Sequence, residues 1–374
     1  MKKSYFLMAA AAAMFAACSE TEVLNVAQES APKAIAFETY AGSATRVDPT
    51  AENSGMPFSP ALEAHHDDFL VWGYKNTATD YVFENVKVSY AGGWSYYQAG
   101  IQNYVYWDKA ANSYEFYAAA PATTATPSFW TLNENSDASQ ADDYFTTAEF
   151  TVAAHNIATG AASATGSFKG AATDLMIANK ETVTSIGSDV QLDFMHILSR
   201  LNITVATSLS NTVKLVSLTV NGLGATASFD ESNVADPSTG TYRRWGSKVA
   251  SIWTEGVTTG SVTYTALADQ PVNATAKYVL EALVMPQAAA HETITITQDG
   301  AKPFITIRYT IDDEPFTAKY NLAAAFGVTS GNTLAFNEGW QNTLNITIGA
   351  SAIQFSGTVA QWKDTSKNYT VGNN

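Results

Sequence analysis

Apolar and polar residues alternate over many short stretches of this chain, and the three-to-four-residue spacing that marks a helix is rare. Across residues 304–311, Ile305, Ile307, Tyr309 and Ile311 fall on one face, with Thr306, Arg308 and Thr310 opposite. Leu344, Ile346 and Ile348 do the same against Asn345 and Thr347. A period of two sends successive side chains to opposite faces, so each run predicts a strand with one covered face. Tyr114, Phe116 and Ala118 share a face against Glu115 and Tyr117, predicting a half-buried strand over 113–118. A compact apolar run predicts a strand at 69–74, and further runs predict strands at 81–88, 213–220, 277–285, 292–298 and 352–362, with Gly, Asn, Asp and Pro between them. Residues 119–172, rich in Ala, Thr, Ser and Asp, predict long loops with one strand near 144–152. The best helix is short, Leu322 to Phe326 ahead of Gly327.

One run breaks its own rhythm. Over 190–205, Val190, Leu192 and Phe194 occupy even positions, whereas Met195, Ile197, Leu201, Ile203 and Val205 occupy odd ones. A strand changes phase only through a bulge or a change of sheet. The later phase puts His196, Arg200, Asn202 and Thr204 on the solvent side. Ahead of this run, residues 179–188 form a polar, turn-like stretch that predicts a domain boundary. Many short, turn-separated strands on both sides of it predict an all-β protein of two β-sandwich domains, 34–187 and 188–374.

The first 46 residues have a different pattern. Lys2 and Lys3 precede an apolar block from Tyr5 to Ala17, which ends at Cys18, the only cysteine. A block of 13 residues falls short of the roughly 20 needed to span a bilayer, so 1–17 predicts a signal peptide. Phe15-Ala16-Ala17-Cys18 places small residues before the cysteine, as lipoprotein processing requires, though Phe15 stands where leucine is usual. A lone thiol in an exported chain has no internal disulfide partner, and acylation of Cys18 accounts for it. The alternative is an incidental small hydrophobe within the signal. Residues 18–33 then form a lipidated tether containing the acidic run Ser19 to Glu22. The alternating stretch 34–42 predicts a first strand, and Arg46 follows in a small, polar segment suited to proteolysis.

Composition narrows the function. Apolar residues make up 46% and charged ones 15% of 374 residues, the balance of a folded protein. The net charge of −15, or −17 without Lys2 and Lys3, repels phosphate backbones and anionic lipid. Nucleic acid is therefore excluded as a partner, and the expected link to the outer membrane is the lipid on Cys18.

Chemistry-bearing residues are few. His65-His66-Asp67-Asp68 is the one cluster of metal-ligand types, but neighbours on a strand point to opposite faces, which predicts a surface turn and no metal site. His155, His196 and His291 stand alone. Asp312, Asp313 and Glu314 suit a glycosidase by type, yet they lie between Ile311 and Pro315 and predict a hairpin turn. Trp94, Tyr96, Tyr97, Tyr104, Tyr106 and Trp107 are able to stack on sugar rings or to pack a core. Arg243-Arg244-Trp245 is a small cationic loop without a defined job. No catalytic group and no cofactor site emerges, and the chain is not expected to be an enzyme.

Several segments together resemble the fimbrillin family, subunits of the type V pili of Gram-negative anaerobes. They are the Phe15–Cys18 lipobox, the strand 34–42, Arg46, the run Phe194 to Leu201, Val284-Met285-Pro286-Gln287, and the tail from Asn342 through Ile348 to Val359-Ala360-Gln361-Trp362. The resemblance implies two tandem transthyretin-like β-sandwich domains after a lipoprotein signal peptide. It also implies a palmitoylated precursor at the outer membrane and cell surface, cut by a trypsin-like protease. Assembly into a fimbrium would follow by strand exchange with other pilus subunits, of its own or a related kind, with a host protein or glycan as candidate ligand. On that basis Cys18 carries the lipid and the cut falls between Arg46 and Val47. Ile35, Phe37 and Thr39 mark the displaced first strand, and Ile353, Phe355 and Val359 on one face of the tail mark the donor strand. Two bland alternatives stay open: an unprocessed loop arginine at 46, and a tail that is an ordinary last strand. Two other functions also stay open. One is a cell-surface glycan-binding lipoprotein that does not polymerise, and the other is a hydrolase whose carboxylates meet only in the fold.

Overall fold

Val, Ile, Thr and aromatic residues set the pleated runs and Gly, Asn and Asp turn them, which builds an all-β molecule in the computed structural model. The structure describes residues 33–40, 66–76, 80–91, 93–96, 104–122, 129–133, 143–152, 174–184, 186–231, 259–265, 269–290, 303–350, 353–361 and 367–369.

The first part holds β1 (Phe37–Tyr40), β2 (Asp68–Lys75), β3 (Tyr81–Tyr90), β4 (Trp94–Tyr96), β5 (Tyr114–Ala120), β6 (Trp130–Asn133), β7 (Tyr144–Thr147), β8 (Phe150–Thr151), β9 (Met176–Val183) and β10 (Val190–His196). Seven of these make one sheet in the order β1-β10-β9-β5-β2-β3-β4. The sheet curls, so that Ala34 beside β1 bridges back to Tyr106, beyond β4. Both faces are covered. Phe69 and Val71 of β2 join Phe116 and Ala118 of β5 in the enclosed core, whereas Leu70, Trp72 and Tyr74 join Tyr117 and Ala119 in a second one. Two-sided burial explains why residues 69–74 read as an apolar run rather than an alternation. The stretch expected to hold one strand near 144–152 contains β7 and β8, and β6 pairs with β7 as an additional hairpin.

The second part holds β11 (Ser199–Thr207), β12 (Val213–Ala227), β13 (Thr259–Thr265), β14 (Gln270–Val272), β15 (Lys277–Val284), β16 (Gln287–Ala290), β17 (Phe304–Ile311), β18 (Glu314–Asn321), α1 (Leu322–Ala325), β19 (Thr333–Phe336), β20 (Trp340–Ile348), β21 (Ile353–Gln361) and β22 (Lys367–Tyr369). One sheet runs β15-β11-β20-β21-β22 and another β13-β12-β17-β18, with β8 and β14 also on β12. The two sheets close over one apolar core that contains Leu201, Ile203, Val205, Leu218, Ile307, Leu344 and Ile346, with α1 packed beside them. Asn321 caps α1 by accepting from the Ala324 N–H at 2.9 Å. The strand expected over 292–298 lies outside the described residues.

The phase slip after Phe194 is a change of sheet. β10 stays in the first sheet, paired to β1 and β9, and the chain passes at Ile197–Leu198 into β11 of the next. Residues 179–183 of the run expected to be turn-like belong to β9, paired with β5, and one more strand of the first sheet, β10, follows the run. The crossing is tied down: the Ile197 N–H donates to the Leu175 carbonyl at 2.9 Å, and Gly339 N–H to the Leu198 carbonyl at 2.9 Å. Ile197, Leu198, Leu283 and Met285 pack with Leu70, Trp72, Leu175 and Ile177 in the second core, which also takes Ala225, Ala227 and Phe229 at the end of β12. That core fastens the first sheet to the second part of the chain.

Here one expectation is overturned. His196, Arg200, Asn202 and Thr204 are all buried rather than solvent-facing. Arg200 lies opposite Leu283 in the ladder, so both point to the side of the sheet that faces the second core. The polar phase of β11 meets another layer of protein instead of water.

Candidate functional site

The residues around the leading strand form the most defined binding arrangement in the described part of the molecule. Residues 33–40 lie between two neighbours and bond to each with a different half of their length. On one flank, Ile35 N–H donates to the Val105 carbonyl at 2.7 Å, and Trp107 N–H donates to the Lys33 carbonyl at 3.0 Å. On the other, Val190 N–H donates to the Ala36 carbonyl at 2.8 Å, and β1 then runs parallel to β10 from Phe37↔Val190 to Tyr40↔Asp193. The alternation of the segment does the rest. Ile35 and Phe37 are 1% and 6% exposed, while Glu38 between Phe37 and Thr39 faces solvent.

Phe37 is the anchor of this seat. Its ring meets Phe69, Phe83, Tyr96 and Phe116 edge-on, with centroids 5.3 to 6.1 Å away. Tyr96 closes the seat from β4. Its hydroxyl lies 3.1 Å from the Ile35 carbonyl and 3.3 Å from the Val105 carbonyl, and accepts the Val105 N–H at 3.0 Å. Burial pushes the Tyr96 phenol above its ordinary pKa, so it stays a neutral donor. Lys33 and Asp189 pair at 2.9 Å at the rim, both exposed, and add little. Thr39 fits less well: its hydroxyl is buried without a hydrogen-bond partner among the described residues. Sequence reasoning expected Ile35, Phe37 and Thr39 in a leading strand and a strand from Val190, but it did not anticipate that the two pair, nor the roles of Val105 and Tyr96. Tyr96 was visible only as one member of an aromatic cluster.

The trailing strand is paired at home. β21 runs antiparallel to β20 from Trp340↔Gln361 to Ile348↔Ile353, and β22 pairs on its outer side from Gly357 to Val359. Ile353 is 4% exposed in the sandwich core, and Phe355 and Val359 are half-buried against it. The Phe355 ring meets Tyr320 edge-on at 4.5 Å. The expected lipidation at Cys18 and the cut between Arg46 and Val47 lie outside the described residues.

The remaining candidates disperse. His66 is buried and Asp67 exposed, while Asp68 accepts from the Ala122 N–H at 2.9 Å and pairs with Lys87 at 2.6 Å. Among the described residues, no three His, Cys, Asp or Glu side chains are placed to hold a metal ion. Asp312 and Asp313 are the two central residues of the β17–β18 turn, with φ of 49° and 68°, and Glu314 pairs back to Ile311. Of the aromatic cluster, Tyr96 and Trp107 are in the enclosed core, with Trp94 half-buried against it. Tyr104 and Tyr106 are each 50% exposed, their rings 6.4 Å apart. His65, Tyr97, His155, His291 and Arg243 to Trp245 lie outside the described residues.

A buried polar cluster occupies the crossing between the sheets. His196 Nδ1 is 2.7 Å from Asp174 Oδ2. Arg200 pairs with Glu281 and donates to Gln341 Oε1 at 3.0 Å, with both charged side chains essentially inaccessible. Burial pulls Arg200 down to about 10 and pushes Glu281 up, and their mutual attraction opposes both shifts. The pair, with Gln341, ties β11 to β15 and β20.

The sequence model of a family described as fimbrillin-like matches residues 45–362. No curated protein matches this chain. Among solved structures, a fimbrial protein from Bacteroides vulgatus is 15% identical, with 88% of this chain and 100% of that one covered and a TM-score of 0.49. A candidate cell adhesion protein from Bacteroides uniformis is 18% identical, with 88% and 98% covered and a TM-score of 0.47. Another from Bacteroides ovatus is 13% identical, with 92% and 100% covered and a TM-score of 0.48.

Proposed function

The chain belongs to the fimbrillin-like family, and from that premise we propose that it is a structural subunit of a surface fimbria that supports adhesion. In this reading it is exported as a precursor lipidated on Cys18 and held at the outer membrane. A trypsin-like protease cuts between Arg46 and Val47, and the trimmed chains polymerise by strand exchange. The reading also divides the chain into two transthyretin-like sandwiches, and the passage between sheets at Ile197–Leu198 supports a division slightly after the polar run at 179–188.

One observation carries the proposal: β1 belongs to the first sheet, and residues 33–36 ahead of it are bonded to residues 105–107, yet both precede the proposed cut at Arg46. Loss of that segment strips the core of Ile35 and Phe37 and leaves the bonding groups of Val105, Trp107 and β10 without partners. Exposed apolar area costs about 25 cal/mol per Å², and unpaired strand edges are templates for another chain. A donor strand from a neighbour restores both. Because donor and acceptor lie at different places on the molecule, the contact is heterologous and need not close, which gives a filament.

Trimming of the purified precursor with trypsin tests this. The wild-type chain should convert to multimers that survive mild denaturant, whereas Arg46→Ala should stay monomeric and, in cells, remain on the membrane as precursor. Normal polymer from Arg46→Ala removes the cut-point assignment. A trimmed chain that stays monomeric at high concentration favours the second reading, a surface glycan binder. The paired exposure of Tyr104 and Tyr106 supports that alternative.

A further inference from the structure

Among the described residues, the large apolar side chains left most exposed are Tyr104 and Tyr106, each at 50%. They lie side by side, with ring centroids 6.4 Å apart and planes tilted by 59°. The segment that carries them alternates: Val105 and Trp107 turn toward the enclosed core, so the two tyrosines stand on the outer side. Packing accounts for Phe69, Phe83, Tyr96, Trp107 and Phe116, which fill that core. It does not account for this pair.

The neighbours leave the rings open. Ala34 bridges Tyr106, with the Ile35 N–H to Val105 carbonyl bond on one side and the Trp107 N–H to Lys33 carbonyl bond on the other. That pattern makes Ala34 and Tyr106 a closely facing pair on the same surface, and a methyl group is too small to cover a phenol ring. The ladder then parts. The Tyr96 hydroxyl stands between the Ile35 carbonyl and the Val105 N–H, where the next backbone bond would form. From Ala36 onward the leading strand bonds to β10 instead. Ala36 and Glu38 continue its outer face, and Glu38 lies beside Gln191 of β10, both exposed. The outer surface here combines two phenol rings, methyl groups beside them, and a carboxylate and an amide further along the strand.

We propose that this surface binds an uncharged glycan, with a pyranose ring stacked on one of the two phenols and flanked by the other. The C–H groups on a pyranose face are slightly positive and meet the negative face of an aromatic ring. Its hydroxyls need donors and acceptors, which Glu38, Gln191 and the tyrosine hydroxyls supply. The acidic balance of the chain, −15, with Glu38 and Asp189 exposed at this rim, disfavours sialylated or sulfated sugars. Lys33 does not offset this, because Asp189 pairs with it at 2.9 Å. A site of two rings is weak alone and gains from presentation in many copies on a surface. The inference rests on the surface adhesion common to both readings above, names its ligand class and residues, and does not depend on how subunits join.

Saturation-transfer NMR and titration of the purified full-length chain test it, with cellobiose, lactose and mannobiose as neutral probes and sialyllactose as the charged one. At least one neutral probe should bind, and sialyllactose severalfold more weakly. Tyr104→Ala and Tyr106→Ala should each weaken binding about tenfold, with an unchanged melting curve because both rings are half exposed. Tyr104→Phe and Tyr106→Phe keep the rings and should bind within about twofold of the wild type. Failure of every neutral probe, a preference for sialyllactose, or binding untouched by both alanine changes overturns the site. Beads coated with the chain that adhere equally to untreated and deglycosylated epithelial cells overturn the glycan assignment and leave adhesion standing. Beads that adhere to neither overturn the adhesion reading itself.

Discussion

Arg200 and Glu281 join β11 to β15 within one sheet, on the face turned toward the second core. Arg200 and Glu281 sit where water does not reach, so each is tolerable only because of the other. Glu281→Gln should therefore destabilise the protein by about 3–5 kcal/mol, because it strands the guanidinium. Replacement of both by methionine should restore most of that, measured by urea unfolding; a double variant as weak as the single would show that the pair itself is required. Tyr96→Phe belongs to the same scale. It deletes the hydroxyl that clamps Ile35 and Val105, at about 1–2 kcal/mol. Amide exchange at Ile35 and Val105 should quicken, whereas exchange in β20 should not. The sequence placed Arg200 on a polar phase correctly but assigned that phase to solvent. A period of two reveals which residues share a face and says nothing of what lies across from it. Glu281, 81 positions away in the chain, has no local signature that marks it as a partner.

Elements were legible where one face is wet. β17, β20 and β21 follow their alternation, and the slip after Phe194 correctly required a break, which the structure resolves as a change of sheet at Ile197–Leu198. The hairpin of β6 and β7 was not legible, because Thr131, Asn133, Thr146 and Thr147 dilute the two buried rings, Trp130 and Phe145, that hold it. The end of β12 was missed for a related reason. Gly222, Gly224 and alanines fill it, and its partner there is a two-residue strand from the first part of the chain. The β17–β18 turn was legible from its acidic pair, and it has an acid-labile tie. Asp312 accepts from Asn211 Nδ2 and from the Thr212 N–H, which holds its carboxyl below the ordinary carboxylate range. A depressed pKa in the fold contributes stability above the unfolded value near 4, and that contribution vanishes as pH falls through the depressed value. The wild type should thus exceed Asp312→Asn in urea midpoint at neutral pH, with the gap closing in acid. A gap independent of pH would mean that the carboxylate charge is not what ties this turn to β12.

For the whole molecule the fold class followed from strand spacing, but the seat of the leading strand did not. Phe37 pairs with Val190 in parallel, a contact no hairpin rule anticipates, and the far flank comes from Tyr106 through an isolated bridge to Ala34. The exchange reading therefore came from resemblance, and the geometry supplies the reason such a strand matters. Net charge gives it a further test. Residues 1–46 carry four acidic and four basic side chains, so a trimmed subunit keeps the −15 of the full chain. Subunits of like charge repel at a distance, and the screening length contracts from about 30 Å at 0.01 M salt to about 8 Å at 0.15 M. The proposed donor segment, 353–361, is uncharged, so in that reading the repulsion acts on encounter rather than on the final contact. Assembly of trimmed chains, followed by light scattering, should therefore quicken as salt is raised over that range, and the finished polymer should not dissociate when salt is lowered again. Assembly that slows with salt would point instead to attraction between oppositely charged patches, and the uncharged tail would lose its place as the strand that drives association.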